Sequence, residues 1–163
     1  MNVLQGTPGH PLHPPLTDVT LGTYSAAMAF SLLSVLGVSE RNTATAWWLA
    51  LVVGLVVTVP TALTGLLDWL GLERGTQVWR TATTHFAAMV TATVLFLLAA
   101  VLGHGGYTDG EVGTAGLVLT LVGYGVLAFG GFLGGTLVFV HGLRVLEREP
   151  SREATSTEAP ERR

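Results

Sequence analysis

Four long apolar segments, at about 16–38, 44–72, 78–102 and 112–145, narrow what this chain can become more than any other feature. Each exceeds the roughly 20 residues that a helix needs to cross the hydrocarbon of a bilayer. Helix is the structure open to them, because backbone N–H and C=O groups left unpaired in lipid are too costly. Strands of a membrane barrel would be shorter and would alternate, and no such pattern is present. The connections 39–43, 73–77 and 103–111 are short, which makes consecutive helices antiparallel neighbours. The expected fold is all-α, an integral membrane four-helix up-down-up-down bundle. The second and fourth segments are longer than a crossing needs, so they are expected to tilt or to extend past the bilayer.

Composition agrees and excludes several chemistries. Charged residues make up 12% of the chain, against about 25% in soluble domains. They fall at residue 18, at 40–41, at 68–80, at 109–111 and after 143, with long apolar stretches between. The absence of cysteine excludes disulfides, thiol redox catalysis, thiolate zinc sites and cysteine-ligated iron–sulfur clusters on this chain. The absence of lysine excludes a Schiff-base mechanism. A net charge of −3, scattered along the chain, gives no footprint for nucleic acid. Residues 1–15 carry Pro8, Pro11, Pro14 and Pro15 and no basic cluster, so they read as an extended lead-in rather than a signal peptide. Residues 146–163 mix Glu, Arg, Ser, Thr and Pro and are expected to form a disordered tail.

Arginine sets the expected orientation. Arg74, Arg80, Arg144 and Arg148 flank the segments on the face that carries both termini, and only Arg41 lies on the opposite face. By the positive-inside rule the terminal face is cytoplasmic, so both ends are expected inside. Trp69 and Trp79 fall at that face and Trp47 and Trp48 at the other, where aromatic belts belong.

With this topology the polar residues sort to one end. His10, His13, His85 and His141, with Asp18 and Asp68, all fall on the terminal face, and His104 alone lies opposite. Asp68 shares a helical stripe with Gly65, Thr64 and Thr61, and Asp18 lines up with Gly22 and Ser25. Gly123, Gly130, Gly134 and His141 form one line on the last helix. Small and polar residues at such spacing face other helices rather than lipid. Ionisable groups inside a membrane domain are functional candidates because burying them is expensive.

Each feature also has a plain reading. Gly130, Gly131, Gly134 and Gly135 make two overlapping G-x-x-x-G pairs, which means close helix packing before it means room for a flat cofactor. In an extended polyproline lead-in His10 and His13 would share one side, as a ligand pair or as a stiff exposed segment. Pro60 is expected to bend its helix, with Thr58 or Thr61 compensating the freed carbonyl. His85 and His141 are the leading pair. They suit haem iron through imidazole nitrogen, a metal ion shared with Asp18 and Asp68, or a proton relay. Interfacial histidines with no ligand are the bland alternative.

Gly9-His10-Pro11-Leu12-His13-Pro14, then Leu16-Thr17-Asp18 and Gly22, resembles the opening of a bacterial membrane family known as domain of unknown function 2231. Ala62-Leu63-Thr64-Gly65 with Asp68-Trp69, Thr84-His85 with Ala87-Ala88, and Gly130-Gly131-Phe132-Leu133-Gly134-Gly135 extend the resemblance from about Gly9 to Val145. The resemblance implies no established activity. Some members are fused to Rieske-type iron–sulfur domains, which implies membrane electron transfer. This chain departs from the family pattern at Ser31, where relatives often carry an acidic residue, and at Thr136, where they often carry a histidine. The second departure bears on any shared cofactor, for which His141 would have to substitute.

Three functions compete. The leading one is a redox component binding haem or another metal through His85, His141, His13 and His10, or through His85 and His141 with Asp18 and Asp68. The second is an accessory subunit without cofactor, packed through Gly123, Gly130 and Gly134. The third is a proton or small-solute carrier, disfavoured because four helices are few and no inverted half is evident. The lipid bilayer is the expected surrounding, with a second copy of the chain or a membrane redox partner as candidate contacts.

Overall fold

A computed structural model describes residues 6–7 and 10–145, and it is helical almost throughout. Four long helices, α1 (His13–Val35), α2 (Glu40–Leu70), α3 (Gln77–Leu102) and α5 (Thr114–Phe139), are accompanied by one short helix, α4 (His104–Thr108). Two residue pairs, β1 (Gly6–Thr7) and β2 (His10–Pro11), form a small antiparallel ladder ahead of α1. Three of the helices, α2, α3 and α5, are long and apolar enough to cross a membrane. α1 is not among them, because Thr17, Asp18, Thr20, Thr23, Ser25, Ser31 and Ser34 dilute its apolar content. At 1.5 Å per residue the 31 residues of α2 extend about 46 Å, well beyond a hydrocarbon core of roughly 30 Å.

The sequence expectations differ from this at three places. Pro14 and Pro15 do not prolong an extended lead-in. They sit in the first turn of α1, where a missing N–H costs nothing, so the helix starts at His13. The fourth apolar segment stops being helical at Phe139, and Gly142 and Arg144 then take positive φ values of 63° and 64°. His141 therefore lies beyond the helix rather than on it. The third break is not a plain loop, since it contains α4. The expected tail at 146–163 lies outside the described residues.

The helices pack as two hairpins, α1 on α2 and α3 on α5, with lighter contact between the hairpins. Side-chain bonds show the antiparallel runs. Thr20 meets Thr61 at 3.0 Å and Tyr24 meets Thr58 at 2.9 Å across α1–α2. Trp48 donates to the Ala100 carbonyl at 2.9 Å and Trp69 to Thr83 at 2.9 Å across α2–α3.

Two aromatic features fix the interior. Tyr24 and Phe96 stack across the bundle with ring centroids 3.9 Å apart and planes 8° from parallel. A Cβ on Gly54 would stand 2.6 Å from the Tyr24 ring, so only glycine leaves that ring its place. Near the opposite end the indole of Trp47 is fully buried and donates to Thr120 at 3.0 Å. It lies against Gly103, Gly106 and Gly116, each of which lacks the side chain that would displace it. Large apolar residues such as Val56, Phe129 and Phe132 cover the outside, as a lipid-facing surface requires.

Gly54→Leu should force the Tyr24 ring out of its stack. Overpacking of this kind costs about 1–3 kcal/mol, to be read as a lower unfolding midpoint of the detergent-solubilised protein by circular dichroism. An unchanged midpoint would show that the stack does not depend on the glycine.

Candidate functional site

Two half-buried histidines stand at the end where α1 begins, and each is held in the same way. His13, the first residue of α1, places Nδ1 3.0 Å from the Thr61 carbonyl oxygen and 3.2 Å from Thr64 Oγ1 on α2. His85, on α3, places Nδ1 2.8 Å from the Gly130 carbonyl oxygen on α5. A carbonyl oxygen only accepts, so both Nδ1 atoms carry the proton. Thr64 supports this at His13: its hydroxyl proton is directed at the Pro60 and Thr61 carbonyls, 3.0 and 2.9 Å away, leaving its oxygen to accept. The tautomer is therefore fixed at both rings, and each Nε2 presents a lone pair.

Glycine makes room for each imidazole. A Cβ at Gly65 would stand 2.7 Å from His13 Cε1, and one at Gly134 would stand 3.2 Å from His85 Cε1. The His13 ring lies within electrostatic reach of both His85 and Asp68. Asp68, near the end of α2, is ion-paired with Arg144 in the segment that follows α5. That pair ties the segment after α5 back to α2 beside the histidines. Trp69 stacks on Trp79 and Phe86 at the same end, with centroids 6.3 and 5.9 Å away.

The other sequence candidates are placed differently. His10 is exposed on β2. Asp18 is exposed, and Gly22 has no neighbour that a Cβ would meet within 4 Å. The inward face of α1 is instead Thr20, Tyr24, Ala27, Ser31 and Ser34, so the expected Asp18–Gly22–Ser25 stripe is not the packed one. Thr58 and Thr61 bond the Gly54 and Val57 carbonyls, not the one Pro60 leaves without its N–H. His85, His141, Asp18 and Asp68 do not converge. Among the described residues no three His, Asp or Glu side chains form a group that could hold a metal ion.

Gly123, Gly130 and Gly134 all turn toward α3, where Phe96, Ala88 and His85 occupy the space a side chain would need. Of the second overlapping pair, Gly131 faces open space and Gly135 meets only Phe139 of its own chain end. Sequence reasoning grouped His13 and His85 with His10 and His141 but favoured His85 with His141, and it did not foresee the matched anchoring of His13 and His85. The signal available for it was a glycine four residues after each accepting carbonyl, Gly65 after Thr61 and Gly134 after Gly130.

Nitrogen-15 magnetic resonance of histidine-labelled protein at neutral pH should show two rings protonated at Nδ1 and bare at Nε2. This is the reverse of the tautomer preferred by free histidine in water. Both signals should move in Gly65→Val and Gly134→Val respectively, and a spectrum with only Nε2-protonated rings would contradict the geometry.

A family model described as a predicted membrane protein (DUF2231) matches residues 9–147. No curated protein and no solved structure matches the chain.

Proposed function

We propose that this chain, which belongs to the DUF2231 family of predicted membrane proteins, holds a redox-active metal centre in the membrane, as haem or as an ion. The observation that carries the reading is the matched pair of imidazoles. His13 and His85 come from different helices, share one end, and each spend Nδ1–H on a backbone carbonyl. Histidines that bind metals almost always donate their other ring N–H to such an acceptor, which fixes the tautomer and raises the basicity of the ligating nitrogen. A bound iron would supply one-electron chemistry, taking an electron from a reduced donor in the membrane and returning it to an oxidised acceptor.

The chain's own residues perform three tasks in this reading. Thr61, Thr64 and Gly130 orient the rings through their oxygens. Gly65 and Gly134 leave each ring space against its helix. Asp68, paired to Arg144, sets a fixed negative charge near His13 and holds the segment after α5 across the same end. His10 and His141 lie outside the pair and are not assigned as ligands.

The membrane arrangement extends the family assignment. α1 joins α2, α3 and α5 as a fourth spanning helix, its hydroxyls turned inward or bonded to their own backbone. Both termini lie on the cytoplasmic side of a bacterial inner membrane, supported by Arg74, Arg80 and Arg144 at that face against Arg41 at the other.

Two experiments test these statements. The purified protein, produced with an ample haem supply, should show a visible absorption band that shifts on reduction, or else a stoichiometric metal. His85→Ala should lose it, and absence of both in wild type would overturn the metal-centre reading. Because the chain has no cysteine, single cysteines report sidedness directly. A thiol reagent that does not cross membranes should label Asn42→Cys in intact cells and leave Glu73→Cys unlabelled until the cells are opened; the reverse pattern would invert the orientation.

A further inference from the structure

The two histidines are equivalent positions of one repeated unit. In α1, Tyr24 follows His13 by eleven residues, and in α3, Phe96 follows His85 by eleven. Three residues on, Ala27 and Ala99 are both fully buried. In α2 the carbonyl bonded by His13 belongs to Thr61, and in α5 the one bonded by His85 belongs to Gly130. Four residues after each stands the glycine under the imidazole, Gly65 or Gly134. Seven residues before each stands a glycine under its own hairpin's aromatic ring: Gly54 under Tyr24, and Gly123 under Phe96, where a Cβ would stand 3.2 Å from the ring. Both second helices end nine residues past that carbonyl, at Leu70 and Phe139.

A pair of repeats related by a two-fold axis brings equivalent residues into contact with each other on that axis. Tyr24 and Phe96 meet this condition in their 3.9 Å stack. So do Trp47 and Gly116, which stand fourteen residues before Thr61 and Gly130: a Cβ on Gly116 would lie 2.7 Å from the Trp47 indole. The repeats run parallel, α1–α2 and α3–α5 in the same sense, which places the axis along the bundle.

We infer that the domain is a duplicated helical hairpin, and that His13 and His85 form one symmetric ligand set for a haem iron centred on the pseudo-two-fold axis. This rests on the metal-centre reading above and narrows it. An ion on the axis sees two equivalent imidazoles and, among the described residues, no group of three His, Asp or Glu. Zinc takes four protein ligands in structural sites and three with an open position in catalytic ones. An iron porphyrin brings its own equatorial nitrogens and asks the protein for axial ligands alone.

The test uses the full chain purified in detergent and titrated with ferric haem, alongside His13→Gly and His85→Gly. Wild type should bind one haem per chain with the spectrum of low-spin, bis-imidazole iron. Each variant should lose that spectrum to the same extent, within about twofold in haem affinity, and each should regain it on adding free imidazole. Rescue by imidazole also shows that the variants remain folded. Haem binding that depends on only one of the two histidines, or on neither, overturns the symmetric site while leaving a metal centre standing. A bare ion bound instead of haem, and lost in both variants, overturns the haem assignment alone. Neither haem nor metal in wild type overturns both readings.

Discussion

Hydrocarbon gives no hydrogen bonds, so every polar group carried into it has to be spent inside the protein. This chain carries many, since its helices are rich in threonine and serine. Most of the hydroxyls are returned to the helix that bears them, as in Thr20 to Leu16, Thr45 to Arg41, Thr91 to Ala87 and Thr136 to Phe132. Others join the helices, as in Thr20 with Thr61 and Tyr24 with Thr58. Among the described residues no buried side-chain nitrogen or oxygen is left without a partner. The two half-buried histidines obey the same rule at one nitrogen only. The carbonyls of Thr61 and Gly130 satisfy Nδ1, and that commitment decides the chemistry available to the other nitrogen.

Glycine does the complementary work. The three largest fully buried side chains, Trp47, Tyr24 and Phe96, and the two half-buried imidazoles each lie against a glycine on a neighbouring element. In a medium where apolar burial gives little drive for helices to associate, close approach and dispersion supply the attraction. A ring seated on bare backbone gains contact area on both faces. The cost is that these positions tolerate little change, because the atoms that would meet a new side chain are rigid rings.

The helices α2, α3 and α5 were legible because twenty-residue apolar runs have one solution in lipid. Their ends were less so. Pro14-Pro15 reads equally as an extended segment and as a first helical turn, and the packing of His13 against α2 favours the turn. The placement of His141 depended on α5 ending at Phe139, which no residue there announces, since Val140 is as good a helix residue as Val138. Asp18 was assigned to the packed face from spacing with Gly22, yet Thr20 and Tyr24 proved to be the buried line. The His13–His85 relation and the repeat behind it depend on which helices pair. The first helices match at one offset and the second helices at another three residues shorter, so a simple shift of the sequence against itself does not align both. Tyr24 against Phe96 and Thr61 against Gly130 also share position but not residue type.

The Trp47–Gly116 contact has a consequence for assembly. Two identical hairpins would be free to pair with copies of themselves, and a chain holding both would face three rival pairings. An α1–α2 hairpin meeting its own copy would bring two indoles to a place that holds one. An α3–α5 hairpin meeting its own copy would bring two bare glycines there and leave a void. Only the mixed pair fills the space once. The Trp47–Gly116 difference thus favours pairing of the two unlike halves over pairing of either half with its own copy.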